Sequence, residues 1–263
     1  MALPLIPEQR QQELLRMLRD SGVLSTRELT GALGVSHMTI RRDIASLQAA
    51  GRVEAVAGGV RLLPEHVGKE PPRQRVARSA LEVPRKRGIA RTAATLVEDG
   101  MVVFLDAGTT CEALALELLR HRRLTIVTND FHTVATLSVQ RGPEVIHTGG
   151  VVDPDSASAS GSLAAGTVRG LGIDLYFMST GTWDIAHGVT TPQADTVVLK
   201  QAGLEVAART VLLADSTKFG DFERFRVAEL ADLDAVITDA GLPDADREAA
   251  RAASVTLRIA DLP

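Results

Sequence analysis

The sequence lacks the features that mark several classes of protein. Cys111 is its only cysteine, so no disulfide can form within the chain, which suits a reducing compartment. No apolar run approaches about 20 residues, and no basic stretch followed by an apolar core opens the chain, so we expect neither a membrane span nor a signal peptide. No cysteines and histidines have the spacing of metal ligands. These absences predict a cytoplasmic protein that carries no metal ion or other cofactor.

Residues 36–43, which read Ser-His-Met-Thr-Ile-Arg-Arg-Asp, predict a short helix that begins at a good cap. The Ser36 hydroxyl can accept a hydrogen bond from a backbone N–H that the first turn leaves unpaired. Ile40, Ile44 and Leu47 recur at the spacing of one apolar helix face. The polar side chains between them are therefore left for solvent or for a ligand.

The polar side of this helix carries Arg41 and Arg42, and arginine contacts both the phosphates and the base edges of DNA. Before it, residues 26–33 have a short helical pattern and Gly34 is a helix stop. Two helices joined by a turn of about four residues that contains glycine form a helix-turn-helix motif. Leucines within residues 8–20 are spaced to pack a third helix against this pair.

Apolar and polar residues alternate in two short runs on either side of Gly58 and Gly59, at residues 52–56 and 60–63. They predict a β-hairpin, which would be the wing of a winged helix. The alternative is a plain three-helix bundle with a solvated arginine pair, but the cap, turn, arginines and hairpin together favour DNA binding. The residues predicted to contact DNA are Ser36, His37, Met38, Thr39, Arg41, Arg42, Gly58 and Gly59.

The charge is divided unevenly along the chain, although the net charge is only −4. Residues 1–70 hold 9 basic and 8 acidic residues, and residues 71–91 hold 7 basic residues and 1 acidic residue. Residues 92–263 hold 13 basic and 24 acidic residues, so this part would be repelled by a phosphate backbone. This division of charge suits a DNA-binding domain, or head, in the N-terminal part of the chain and a domain with a different function in the remainder. Because the head has so small a surplus of positive charge, we expect it to act as a dimer or larger oligomer.

Residues 64–84 contain prolines among charges and no sustained apolar periodicity, which predicts a linker between a DNA-binding domain at 7–63 and a second domain at 85–263. The basic run at residues 85–87 is interpreted as the solvated start of the next helix. Beyond it, apolar β-type runs alternate with helical patterns. That alternation predicts an α/β fold with a mostly parallel sheet.

Small polar residues follow several of these predicted strands. Ligands bind at the carboxyl ends of parallel strands, near the topological switch point. In these loops, threonine hydroxyls and the N–H groups at the start of a helix suit an anion. Lys218 supplies a positive charge for phosphate. Each loop alone could be ordinary turn and cap chemistry. Together they predict a pocket for a phosphorylated sugar or polyol, with Asp106 or Asp130 bonding the sugar hydroxyls. The residues predicted to line it are Asp106, Gly108, Thr109, Thr110, Thr128, Asn129, Asp130, Gly149, Gly150, Gly181 and Lys218.

Both parts of the chain resemble the DeoR family of bacterial transcriptional repressors. The residues that carry the resemblance are 36–43 with Leu47, Gly51, Gly58 and Gly59 in the first part, and 106–110, 124–130, 149–150, 188–192, 215–220 and 238–239 in the second. The resemblance implies a winged-helix head and an effector domain similar to ribose-5-phosphate isomerase. It also implies repression of sugar or polyol genes that a phosphorylated intermediate relieves, and oligomeric binding to repeated operator half-sites.

The chain departs from the family pattern at two places. The family wing has a basic residue and a histidine where this chain has Ala55 and Ala57, so we expect weak phosphate contacts from the wing unless Arg52 or Arg61 replaces them. Near residues 181–184 the family has a smaller, glycine-rich loop. Trp183 has two possible roles there: it reshapes the pocket, or it packs in the core. We expect core packing.

A sugar-phosphate isomerase with an added DNA-binding head is the alternative function. The isomerases that the second domain resembles use an acidic Asp-Gly-Ala-Asp-Glu loop, whereas the nearest stretch here, residues 181–185, keeps one carboxylate and lacks the glutamate. We therefore expect no enzymatic activity. A transcriptional activator with the same fold also remains open, because the sign of regulation depends on where the operator lies relative to the promoter.

Overall fold

The computed structural model describes residues 7–49, 52–56, 58–62, 81–140 and 142–261. The chain divides into two compact units, residues 1–71 and residues 72–263. Most of the predicted linker, from residue 64 to residue 80, lies outside the described residues. Its last two residues, Val83 and Pro84, belong to a helix, because proline in the first turn of a helix loses no intrahelical hydrogen bond.

The first unit is a helix-turn-helix followed by a hairpin, as the sequence predicts. Its elements are α1 (Pro7–Ser21), β1 (Val23–Ser25), α2 (Thr26–Leu33), α3 (His37–Ala49), β2 (Val53–Val56) and β3 (Gly59–Leu62). The core joins all three helices to the hairpin through Leu14, Leu18, Leu29, Ile40, Ile44, Leu47, Val53 and Val60. Strand β1 was not predicted; it pairs antiparallel with β3, so the wing is a three-stranded sheet of order β1-β3-β2.

Both helices of the motif have the expected ends. The Ser36 hydroxyl accepts the Thr39 N–H at 3.2 Å, which caps α3. Gly34 has a φ of +64°, and its N–H bonds the Thr30 carbonyl, which ends α2. Ser25 additionally caps α2 through a capping box with Glu28.

Gly59 is needed because β1 and β3 approach each other closely. A methyl group on Gly59 would lie 2.5 Å from the Leu24 carbonyl oxygen, so we expect Gly59→Ala to lower the free energy of unfolding by about 1–3 kcal/mol. Gly31→Ala is the matched control, because nothing lies within 4 Å of a methyl group at that position in α2, and it should stabilise the protein by about 0.5–1 kcal/mol. Urea unfolding followed by circular dichroism compares the two variants. Equal midpoints would contradict this role of Gly59.

The second unit is a three-layer α/β structure. Its elements are α4 (Val83–Ala94), β4 (Val102–Leu105), α5 (Thr109–Glu117), β5 (Thr125–Thr128), α6 (Phe131–Ser138), β6 (Glu144–His147), β7 (Val151–Asp153), β8 (Ser158–Ser160), α7 (Gly161–Arg169), β9 (Leu175–Ser179), β10 (Thr182–Asp184), β11 (Gly188–Thr191), α8 (Ala194–Val206), β12 (Thr210–Leu213), β13 (Phe225–Ala228), β14 (Ala235–Asp239), α9 (Asp244–Ala252) and β15 (Leu257–Ala260). Single 3₁₀ turns lie at Leu118–Arg120, Ser216–Lys218 and Leu230–Asp232.

A seven-stranded sheet of order β15-β14-β12-β9-β4-β5-β6 forms the middle layer, and every neighbouring pair in it is parallel. Successive side chains of a strand point to opposite faces. In β4, Phe104 therefore joins the core on one face, whereas Val103 and Leu105 join the core on the other. Helices α7 and α8 cover the first face, and α4 and α5 cover the second.

The topological switch point of this sheet lies between β4 and β9. From β4 the chain first adds β5 and β6 on one side, and then returns to place β9 on the other side, followed by β12, β14 and β15. The loops after β4 and β9 therefore flank the crevice where ligands bind in such sheets.

Candidate functional site

Helix α3 presents a polar face to solvent. Met38 is 72% exposed, and Arg41 and Arg42 are exposed and form no ion pair with any residue that the structure describes. On the opposite side, Ile40 and Ile44 are buried in the core. The two guanidinium groups are therefore available to an anionic partner.

A buried ion pair that the sequence analysis missed holds α3 against α1. The Arg10 guanidinium bonds both Asp43 carboxylate oxygens, at 2.5 and 3.0 Å, and Asp43 is 2% exposed. A paired, planar contact of this kind fixes orientation as well as distance. The signal was present in the sequence, because Asp43 lies between Ile40 and Ile44 on the apolar face, where a carboxylate needs a partner.

The wing has little free positive charge. The Arg61 guanidinium bonds the Glu54 carboxylate across the hairpin at 2.7 Å, so Arg61 is already charge-paired. Ala55 is exposed, while Ala57 lies outside the described residues. Gly58 has a φ of +78°, and its carbonyl accepts the Thr26 N–H at 3.1 Å, which ties the hairpin tip to α2. Contact of Gly58 and Gly59 with DNA remains a prediction.

In the second unit, Asp106 joins the two loops at the switch point. Its buried carboxylate accepts the N–H groups of Ala107 and Ser179, each at 3.0 Å, and a hydrogen bond from the ammonium group of Lys200 on α8. Lys200, which is 5% exposed, also donates to the Ser179 carbonyl at 2.5 Å. A methyl group on Gly108 would lie 2.5 Å from the Ser179 hydroxyl oxygen. This glycine therefore permits the two loops to approach each other, and its contact with an effector remains a prediction.

Asn129 and Asp130, which follow β5, are bound to the same loop. The Asn129 side-chain oxygen accepts the Ala107 N–H at 2.8 Å. The Asp130 carboxylate accepts the Gly108 N–H at 3.3 Å and caps α6 by accepting the His132 N–H at 2.9 Å. Both carboxylates proposed for sugar hydroxyls, Asp106 and Asp130, thus have partners within the protein, and their contact with an effector remains a prediction.

The threonines at this edge differ in exposure. Thr128 is buried, and its hydroxyl accepts the Asp130 N–H at 3.2 Å. Thr110 is also buried, and its hydroxyl has no partner among the described residues. Thr109, in the first turn of α5, is half-buried and is therefore the most exposed of the three threonines.

The glycines at this edge also divide into two groups. A methyl group on Gly150 would lie 2.6 Å from the Ser160 carbonyl oxygen, so Gly150 packs against the start of α7. Gly149 and Gly181 are exposed, with nothing within 4 Å of the added methyl group. Of the predicted glycines, these two leave room for a ligand.

Lys218 lies in the loop after β12, residues 215–220, which we call the Lys218 loop. Its ammonium group is 3.9 Å from the Asp215 carboxylate, and its side chain is 23% exposed. The Gly220 N–H bonds the Trp183 carbonyl at 3.0 Å, and the Trp183 ring contacts Phe219 edge-on at a centroid distance of 4.8 Å. Trp183 is fully buried, so it packs in the core against the Lys218 loop, as expected.

The carboxylate that the isomerase alternative would use is engaged elsewhere. Asp184, at the end of β10, bonds the His187 ring at 2.7 Å and also accepts the His187 N–H.

Among the residues that the structure describes, no three histidine, cysteine or acidic side chains are grouped as a metal site needs. No helix in the described part of the chain is long and apolar enough to cross a membrane.

Cys111 is expected to be inert to thiol reagents in the folded protein. It is fully buried in the first turn of α5, and burial, reinforced by the negative charge of Asp106, raises the pKa of its thiol far above the usual range. Labelling with 5,5′-dithiobis(2-nitrobenzoate) at pH 8 should therefore proceed only as fast as the protein unfolds, and should become immediate in 6 M guanidinium. Rapid labelling of the folded protein would contradict this burial.

Comparison with known proteins identifies both units. Residues 10–65 match the family model of the DeoR-like helix-turn-helix domain, and residues 81–240 match that of the DeoR C terminal sensor domain. An uncharacterised HTH-type transcriptional regulator of Escherichia coli K12 is 39% identical over 97% of this chain and 99% of its own length. A putative aga operon transcriptional repressor of Escherichia coli O157:H7 is 29% identical over 94% of this chain and 91% of its own length. Ribose 5-phosphate isomerase A of Methanocaldococcus jannaschii aligns with 51% of this chain and 53% of its own, at 16% identity and a TM-score of 0.38.

Proposed function

The chain belongs to the DeoR family of transcriptional regulators, and we propose that it represses genes of sugar or polyol metabolism until a phosphorylated sugar or polyol binds its second unit. The DNA-binding domain would span residues 7–63 and the effector domain residues 83–263, with the linker between them, because α4 begins at Val83. Relatives named as repressors of the aga operon and of the lactose phosphotransferase system support the metabolic class. The protein would work in the cytoplasm, where bacterial DNA lies.

The exposed face of α3 is the observation that carries the DNA-binding part of this proposal. Arg41 and Arg42 project from a capped helix whose other side is fixed by the core and by the Arg10–Asp43 pair. Such a helix fits the major groove, where arginine bonds guanine edges or phosphates. Because the wing adds little free charge, we propose that two or more copies bind half-sites spaced by about 34–36 Å.

The effector would bind at the carboxyl edge of the sheet. The Lys218 ammonium group supplies positive charge, while Thr109 and the N–H groups at the start of α5 can face an anion. Gly149 and Gly181 follow other strands of the same domain, and nothing lies within 4 Å of a methyl group added at either position. The internally bonded residues Asp106, Thr128, Asn129 and Asp130 would hold these loops in place.

Fluorescence anisotropy tests the proposal. A labelled DNA fragment from upstream of the protein's own gene is titrated with protein at fixed salt. The complex is then challenged with ribose 5-phosphate, fructose 6-phosphate, ribitol 5-phosphate, glycerol 3-phosphate and inorganic phosphate. Tight binding that survives competitor DNA, and that one sugar or polyol phosphate reverses, is the expected result. Specific binding that none of them reverses would contradict the effector class, and no specific binding to this fragment or to a genomic fragment library would contradict the regulator.

A further inference from the structure

Arg85 joins the first turn of α4 to two loops at the carboxyl edge of the sheet. Its guanidinium donates to the Ser216 hydroxyl at 3.1 Å and lies 3.5 Å from the Asp239 carboxylate. It also lies 3.2 Å from the Glu82 carboxylate, one turn earlier. The residue thus connects the Lys218 loop, the end of β14 and the segment that precedes α4.

The two partners of Arg85 at this edge of the sheet, Ser216 and Asp239, are also bonded to each other. The buried Asp239 carboxylate accepts both the N–H and the hydroxyl of Ser216, at 2.7 and 2.9 Å, and the Gly241 N–H at 2.9 Å. Ser216 lies two residues before Lys218, in the same 3₁₀ turn. A shift of Lys218 toward a bound phosphate would therefore move the hydroxyl to which Arg85 donates.

The segment before α4 is held in a conformation of higher energy. Glu82 has a φ of +52° and a ψ of +31°, a left-handed backbone that residues other than glycine seldom adopt. Such a conformation persists only while surrounding contacts maintain it. Those contacts include the Arg85–Glu82 ion pair and the bond from the Lys86 ammonium to the Leu81 carbonyl, at 2.6 Å. Residues 63–80, which lead back to the DNA-binding unit, directly precede Leu81 in the chain.

We propose that Arg85 couples effector binding at the Lys218 loop to the chain that leads to the DNA-binding unit. With the effector absent, Arg85 holds Glu82 and Ser216 together, which keeps the segment at residues 81–82 in its left-handed turn. A phosphate bound by Lys218 moves Ser216, so Arg85 loses this partner, its guanidinium is no longer held beside Glu82, and the turn relaxes. Arg85 is thus a positioning residue with no effector contact of its own. The inference rests on the proposed function, because it requires an effector at this edge.

Arg85→Met tests this coupling, because methionine keeps an unbranched side chain and removes the guanidinium. Operator affinity is measured by anisotropy with each compound of the phosphate panel. Effector binding is measured separately through the fluorescence of Trp183, the only tryptophan of the chain, which contacts the Lys218 loop. In the wild type the effector should weaken operator binding by about 5- to 150-fold, and the operator should weaken effector binding by the same factor. In Arg85→Met both factors should fall below about 2-fold while each ligand still binds alone.

Two further variants sharpen the comparison. Arg87→Met is the matched control, because Arg87 is exposed on the same helix and has no partner among the described residues, so it should keep the wild-type factors. Ser216→Ala removes the Arg85–Ser216 bond, together with the bond from the Ser216 hydroxyl to Asp239, and leaves Arg85 in place. It should also reduce both factors, and it tests the coupling if Arg85→Met fails to fold.

Four outcomes would overturn the inference. If the effector releases Arg85→Met from the operator at the same concentrations as the wild type, other residues couple the two sites. Wild-type coupling factors in Ser216→Ala would show the same. Loss of effector binding in folded Arg85→Met would place Arg85 in the pocket instead. If no compound releases the wild type, the proposed function itself fails, and this inference fails with it.

Discussion

Arg41→Ala and Arg42→Ala should each weaken operator binding by about 5- to 150-fold for each half-site and leave effector binding unchanged. A good contact from arginine to a base edge contributes about 1–3 kcal/mol of discrimination, and both side chains are exposed without an ion-pair partner in the described structure. In a dimer each substitution removes one contact from each of two half-sites, so the two losses in free energy add and the measured loss should exceed that of a single half-site. Anisotropy titrations at several salt concentrations measure it.

The salt dependence separates the two possible kinds of contact. An arginine that bonds a phosphate should lower the slope of log K against log salt by about 1 and weaken all sequences equally, whereas one that bonds a base should relax specificity at one position. Arg91→Ala is the control, because it removes the same charge from an exposed position on α4 in the other unit. Wild-type operator affinity in both α3 variants would refute this role of the helix.

Lys200→Met should lower the free energy of unfolding by about 3–5 kcal/mol, the cost of removing one partner of a buried ion pair. The Asp106 carboxylate is 2% exposed and would lose its cation, and the Ser179 carbonyl would lose a donor. Urea unfolding followed by circular dichroism and by Trp183 fluorescence measures the change. Lys218→Met removes the same charge from a side chain that is 23% exposed, so it should cost less than about 1 kcal/mol.

A variant that removes both charges tests the explanation. Lys200→Met with Asp106→Asn should be less destabilised than the sum of the two single variants, because the asparagine leaves no buried charge unpaired. Additive losses would mean that the ion pair is not the reason for the effect. The same variants should show weakened effector binding, because Asp106 and Lys200 hold the two loops at the switch point.

Long periodic segments were the most predictable part of the fold. The apolar face of α3 and the glycine that ends α2 each depend on residues only a few positions apart. Local spacing was therefore sufficient to predict both helices. Strands β1, β7, β8, β10, β11 and β13 were not predicted. Each has only three or four residues, and each is one member of an antiparallel pair, whose formation depends on the partner strand as well as on its own residues.

The candidate effector site was predictable in position but not in detail. Polar loops after parallel strands indicated the carboxyl edge of the sheet, because all strands of such a sheet point the same way. Which atoms of those loops remain free depends on the packing of one loop against another. Gly108 faces Ser179, and the Asp130 carboxylate caps α6, and neither arrangement can be read from the residues beside them.

By itself the sequence determined the class of this protein: a capped, arginine-bearing helix in a helix-turn-helix, joined to an α/β domain with polar loops. Those features depend on spacing within a few residues, where backbone geometry alone relates position to side-chain direction. Only the tertiary structure decided the partners of the buried charges. Lys200 meets Asp106 across 94 residues, and Arg85 meets Ser216 across 131. Such pairs are set by how the chain returns to the same edge of the sheet, because a buried charge must find a partner wherever the fold brings one.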